Sequence, residues 1–173
     1  MVVLTIPTVT PEYSERANRR KASEHSEIWS ILDAVCDPEL PAVTIWDLGI
    51  LQDIKKSDEG WLIEITLTYS GCPAVNVIKQ DILLELEKAG INENIQIDVV
   101  LAPAWTTDFI SPQGREQLRK INIAAPVTSD ELIQCPLCSS TDTEVISEFG
   151  STSCKALYRC LQCREPFDYF KAF

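Results

Sequence analysis

The sequence predicts an α/β protein: a two-layer α/β sandwich with a small mixed sheet, followed by a β-rich module built around metal. Three observations carry that reading. Segments with apolar residues at helical spacing alternate with segments rich in β-branched residues, in the order helix, hairpin, helix, strand, helix. Two C-x-x-C pairs stand near the C-terminus, 21 residues apart. A length of 173 residues accommodates one domain of ordinary size plus one small module.

Taken in order, residues 1–22 are first apolar and interrupted by Pro7, then charged through Glu15, Arg16, Arg19, Arg20 and Lys21. They are expected to form a flexible N-terminal arm. From Ser23, the residues Ile28, Ile31, Leu32 and Val35 recur at helical spacing behind an acidic first turn of Glu24 and Glu27. That helix must stop before Asp37-Pro38, because the residue preceding a proline is pushed out of the α region. Leu48 to Lys56 and Trp61 to Tyr69 read as two strands around the turn Ser57-Asp58-Glu59-Gly60. A second helix follows Gly71-Cys72-Pro73, with Val75, Ile78, Ile82 and Leu86 on one face and Gly90 as its stop. Ile95, Ile97 and Val99 alternate in a third strand. Ser111-Pro112 opens a short helix, the serine as N-cap and the proline at the first helical position. Asn122 to Ser129, containing Pro126, reads as a hinge. The α/β domain is thus expected over 23–126 and the cysteine module over 127–173.

In that module Cys135 and Cys138 form one knuckle, Cys160 and Cys163 the other. Each C-x-x-C turns two thiolates toward one point, and two facing knuckles close a tetrahedral four-sulfur site. A module of about 45 residues cannot stabilise itself by apolar burial, so the ion supplies much of its folding free energy. Structural zinc and an iron centre both fit this ligand set. Cys154, six residues before Cys160, falls on the same strand face if the strand is regular; packing as a small hydrophobe and a ligand or redox role are both open.

Cys72 is the candidate functional thiol. It lies between a strand end and Pro73, at or beside the N-cap of the next helix, where free N–H groups and the positive end of the helix dipole favour a thiolate. The expectation is therefore a lowered pKa and a nucleophile or soft ligand at neutral pH. A buried, inert cysteine is the competing reading. Asp37 and Glu39, and likewise Asp47, could supply carboxylates to the same edge, or merely form turns.

Composition narrows the function classes. Hydrophobic residues make up 45% and charged residues 24%, as in a soluble globular chain, and no stretch approaches the roughly 18 apolar residues of a membrane span. A signal peptide is not evident, so a cytoplasmic location is expected. The net charge of −11 opposes nucleic-acid and anionic-membrane partners. His25 is the single histidine, so neither a di-iron carboxylate site nor a two-histidine facial triad can be built within this chain. No phosphate-binding glycine loop is present.

Asp37-Pro38-Glu39-Leu40-Pro41, Thr44-Ile45-Trp46-Asp47-Leu48-Gly49-Ile50 and Leu67-Thr68-Tyr69-Ser70-Gly71-Cys72-Pro73-Ala74 together resemble the iron–sulfur assembly-factor domain. Leu101-x-Pro103-x-Trp105-Thr106-Thr107-Asp108, Gly114-Arg115-Glu116, the ribbon, Phe149 to Thr152, Cys154 to Cys160 and Glu165-Pro166-Phe167 narrow the likeness. From about Ile28 onward the chain is similar to the D subunits of phenylacetyl-CoA epoxidases, ring-oxidising multicomponent oxygenases. The resemblance implies an accessory subunit, not catalytic alone, that matures an iron–sulfur or iron centre of a partner in aerobic phenylacetate breakdown. It implies Cys72 as functional thiol beside Asp37 and Glu39, zinc in the ribbon, and an iron ion or iron–sulfur cluster handled in passing. The implied partners are oxygenase subunits, the reductase above all, and a homodimer is left open. A structural subunit bridging oxygenase components is the alternative.

Overall fold

The computed structural model describes residues 9–69, 71–127 and 132–171. The first part of the expected arm, Ser70 of the cysteine motif and part of the expected hinge lie outside the described residues.

Residues expected to be a flexible arm instead form a docked helix, α1 (Pro11–Ala22). Thr10 caps it, its hydroxyl accepting the Tyr13 N–H at 3.2 Å, and Pro11 occupies the first turn. The charged run is not a solvated tail, because Arg16 is only 1% exposed. Its guanidinium donates to the carbonyls of Phe109 (2.7 Å), Leu51 (2.8 Å) and Trp46 (3.1 Å) and lies 4.3 Å from the Trp46 ring centroid. The helix α2 (Ser26–Leu32) buries Ile28, Trp29 and Leu32.

Between α2 and the expected hairpin, β1 (Cys36–Asp37) and β2 (Leu40–Thr44) pair antiparallel around Pro38-Glu39. Strands β3 (Leu51–Ser57) and β4 (Gly60–Ile65) form the expected hairpin, with Ser57 opposite Gly60. Gly60 has φ +137°, and a Cβ there would stand 2.0 Å from the Asn94 carbonyl oxygen, so no larger residue fits. β5 (Ile95–Val99) runs parallel to β4, giving a mixed sheet of order β3-β4-β5. The crossover between β4 and β5 is α3 (Val75–Lys88), which turns Ile78, Ile82 and Leu86 into the core. Each such side chain, fully buried, contributes about 1.5–3 kcal/mol. A 3-10 turn (Thr107–Phe109) leads to α4 (Pro112–Lys120), capped by the Ser111 hydroxyl, which accepts the Gly114 N–H at 2.8 Å.

The C-terminal sheet has the order β6-β9-β8-β7, built from β6 (Ile123–Ala124), β7 (Thr143–Ser147), β8 (Lys155–Cys160) and β9 (Pro166–Phe170). The expected boundary at 126 falls too late: β6, read as hinge, lies parallel to β9 as part of this sheet. The two modules share a seam. Phe170 and Cys154 belong to the apolar core of the α/β domain, whereas Cys135, Cys160 and Phe167 belong to a separate ribbon core. Trp105 clasps the seam, its ring 6.0 Å from that of Phe170 and its Nε1 donating to the Leu48 carbonyl at 3.1 Å.

Candidate functional site

Where β4 gives way to α3, the backbone folds back on itself: the N–H groups of Gly71 and Cys72 both point at the Tyr69 carbonyl, at 3.0 and 3.3 Å. Gly71 takes φ +145° with open space where a Cβ would be, so its requirement is conformational, not steric. The turn places Cys72 inside the core, 8% exposed.

The sequence expectation of a dipole-stabilised thiolate does not hold. α3 begins at Val75 with Ala74 as N-cap, leaving Cys72 outside the cap. Burial pushes the Cys72 thiol above its ordinary value. The Ala74 N–H opposes this shift, the carboxylates of Asp37 and Glu39 add to it, and the Thr68 hydroxyl opposes it again; burial and like charge prevail. Cys72 is a protonated thiol at neutral pH.

Those same causes establish what surrounds the sulfur. Asp37 and Glu39, at the β1–β2 turn, act on it through their charge. Asp37 is 5% exposed and accepts the Glu39 N–H at 2.8 Å, so it shapes the turn, and its charge reaches Cys72. Burial also raises the Asp37 carboxyl, against the pull of the Glu39 N–H. Asp47 stands apart as a structural group. It accepts the Thr44 hydroxyl at 3.0 Å and the Ser111 hydroxyl, and its carbonyl accepts the Ser111 N–H at 2.9 Å, tying α4 to the β2–β3 connection. His25 sits at the N-cap of α2, edge-on to Trp61 with centroids 5.0 Å apart, remote in role from the thiol.

Three residues that sequence reasoning did not place join the site. Cys154 lies immediately before β8, its thiol 3.9 Å from the Glu39 carboxylate and 3.0 Å from the Thr152 hydroxyl. It turns away from the ribbon cysteines, so strand alternation did not predict its direction. Tyr69 lies near both thiols and Glu39; burial, followed by the charge of Cys72, raises its phenol. Lys155 is buried with its ammonium on the Ser151 hydroxyl at 3.1 Å, and its charge reaches Asp37. The run Gly150 to Lys155 carried the signal for Cys154 and Lys155, but no local pattern says which way it faces.

The ribbon thiols converge as the spacing requires. Cys135 and Cys163 sulfurs are 3.7 Å apart, Cys138 and Cys160 sulfurs 3.5 Å, and all four lie within 4.8 Å of one another. A metal–sulfur bond of about 2.3 Å places tetrahedral sulfurs about 3.8 Å apart, so these residues fit one tetrahedral ion. The two knuckles repeat each other. Ser139 and Arg164 follow them with φ +62° and +66°. The Cys135 N–H bonds the Ser140 carbonyl at 2.9 Å as the Cys160 N–H bonds that of Glu165 at 3.1 Å. Cys160 is held down to about 6, chiefly because the Cys163 N–H donates to its sulfur. The four-cysteine group is a metal-binding site.

Among the described residues no helix is long and apolar enough to cross a membrane. Family models match both modules: "Iron-sulfur cluster assembly protein" over residues 25–99 and "PaaD zinc beta ribbon domain" over residues 122–171. An Fe-S protein maturation auxiliary factor of Bacillus subtilis (strain 168) is 33% identical, the match covering 49% of this chain and 82% of that one. A crystal structure of a domain of unknown function, DUF59, from Bacillus anthracis superposes with a TM-score of 0.50 at 31% identity, over 59% of this chain and 96% of that one. The D subunit of the provisionally named 1,2-phenylacetyl-CoA epoxidase of Escherichia coli (strain K12) is 46% identical over 84% of this chain and 91% of its own length, taking in both modules. The chain belongs to this family of phenylacetyl-CoA epoxidase D subunits.

Proposed function

We propose that the chain is a cytoplasmic accessory subunit of the phenylacetyl-CoA ring-epoxidising oxygenase that matures the iron–sulfur or iron centre of a partner subunit, the reductase. The observation that carries this reading is a buried cysteine thiol flanked by two carboxylates, Asp37 and Glu39, at a strand-to-helix turn. A thiol above its ordinary pKa is a slow nucleophile but still a competent metal ligand, because a bound cation displaces the proton and is attracted by the adjacent carboxylates. Cys72 holds the ion, and Asp37 and Glu39 draw it in and take up the released proton. Iron is cargo here, not a resident cofactor. In the ribbon the reading is zinc, which favours closed tetrahedral sulfur sites and performs no redox chemistry. Cys135, Cys138, Cys160 and Cys163 then hold the module's fold and present its remaining cysteine, Cys154, to the seam.

Co-expression of the reductase with and without this chain tests the proposal through iron and acid-labile sulfide per reductase. The expected result is a loss of cluster occupancy without the chain and an equal loss with Cys72→Ser. Unchanged occupancy removes the maturation reading. A bridging, non-transferring role is favoured by one observation, the exposed apolar side chains Leu137, Val145, Ile146, Phe149 and Leu161 on the ribbon. That alternative predicts full oxygenase activity with Cys72→Ser.

A further inference from the structure

The ribbon brings to the seam a second buried sulfur that the tetrahedral site does not use. Cys154 is 5% exposed, and six residues along the chain Cys160 sits in the other core. Its backbone is fixed by the Lys171 N–H donating to its carbonyl at 2.9 Å. Its thiol donates toward Glu39 Oε2 at 3.9 Å. Asp37 and Glu39 both act on Cys154, and both also act on Cys72. Tyr69 feels Cys72, Glu39 and Cys154 together and bonds Ser153, next to Cys154. Two buried thiols from two modules therefore lie within electrostatic reach of one pair of carboxylates, and Cys154 contacts one of them, a juxtaposition that packing alone does not call for: a small hydrophobe gains nothing from a carboxylate neighbour.

We propose that Cys72 and Cys154, with Glu39 and Asp37, form a second metal site across the seam, for a divalent cation of borderline softness such as ferrous iron. The inference rests on the maturation reading of Cys72 and adds that the ribbon exists to supply the other sulfur. Binding exchanges two S–H bonds for two metal–sulfur bonds; the two protons leave through the carboxylates to water, and no electron moves. Two thiolates with one or two carboxylate oxygens select such an ion over magnesium or calcium, which take oxygen alone. Among the described residues only the ribbon set has every donor atom within 4.8 Å of the others. The seam set is looser, which suits a site that must also release its ion.

The test uses the full chain, anaerobic and loaded with one zinc per molecule, titrated with cobalt(II). A second ion is expected, with sulfur-to-cobalt charge-transfer absorption of two thiolates. Cys154→Ser and Cys72→Ser should each remove about half of that absorption and weaken binding by about tenfold or more, roughly 1.4 kcal/mol. Cys36→Ser should leave both unchanged. Retention of one zinc and an unaltered circular dichroism spectrum certify that each variant is folded. If Cys154→Ser binds cobalt like the parent, or if the parent takes up no second ion, the two-thiol site is overturned. Reductase cluster occupancy with Cys72→Ser, measured separately, reports on the maturation reading itself.

Discussion

A guanidinium is expensive to bury unless its N–H groups find acceptors. Arg16 meets three carbonyls and the faces of Trp46 and Phe109, yet burial still draws its pKa down to about 9, and it stays charged at neutral pH. Removing it leaves those carbonyls unpaired, so Arg16→Ala should cost about 3 kcal/mol in urea unfolding. At Cys72 the folded pKa stands above the unfolded value of 9.0. The protonated thiol is thus the form that folding favours, and its contribution to stability is present below about pH 9 and lost as pH climbs through the folded value. Alkylation of metal-free protein should accelerate about tenfold per pH unit from 7 to 9 without levelling off. Glu39→Gln should bring the midpoint down, because a like charge has been removed. Neither residue could be read correctly from sequence: Arg16 hides in a run of charges that resembles a solvated face, and the fate of Cys72 turned on a helix starting three residues later than Cys72 itself.

At the scale of elements, the pattern of apolar residues gave α2, the β3–β4 hairpin, α3 and β5 in order, because each buries one face at its own period, and the Ser111-Pro112 cap gave α4. It missed α1, although Thr10-Pro11 is an N-cap followed by a helix-starting proline, and it missed β6, a strand of two residues with no period to detect. The Asp47-Leu48-Gly49 segment is a joint rather than a ligand. Gly49 has φ +82°, and a Cβ there would stand 2.4 Å from Phe109 Cβ. Gly49→Ala should therefore destabilise by roughly 2 kcal/mol or more, read as a lower denaturation midpoint at unchanged m-value, with the ribbon still holding its metal. The knuckles were legible in full, since two short spacings fix the directions of four sulfurs. Where Cys154 points was not, because a residue just before a strand takes its direction from the tertiary packing of Phe170 and Glu39.

For the whole molecule, Phe170, in contact with Trp105, and Cys154 anchor one edge of the ribbon in the α/β domain's core, while the metal-site cysteines keep a core of their own. Stripping the ribbon metal with a strong chelator should then reach beyond the ribbon. The helical signal of the α/β domain should persist, while Trp105 fluorescence shifts and Cys154 becomes open to alkylation at least about tenfold faster. A ribbon that merely hangs from a hinge would leave both unchanged.

The proton that Cys72 keeps has a further effect. Peroxide attacks the ionised sulfur far faster than the neutral one, and sulfinic and sulfonic acids, once formed, are not restored by ordinary reductants. A buried sulfur that keeps its proton is a poor target for such oxidation, so peroxide at neutral pH should leave Cys72 largely as the free thiol, as mass spectrometry of the treated protein checks.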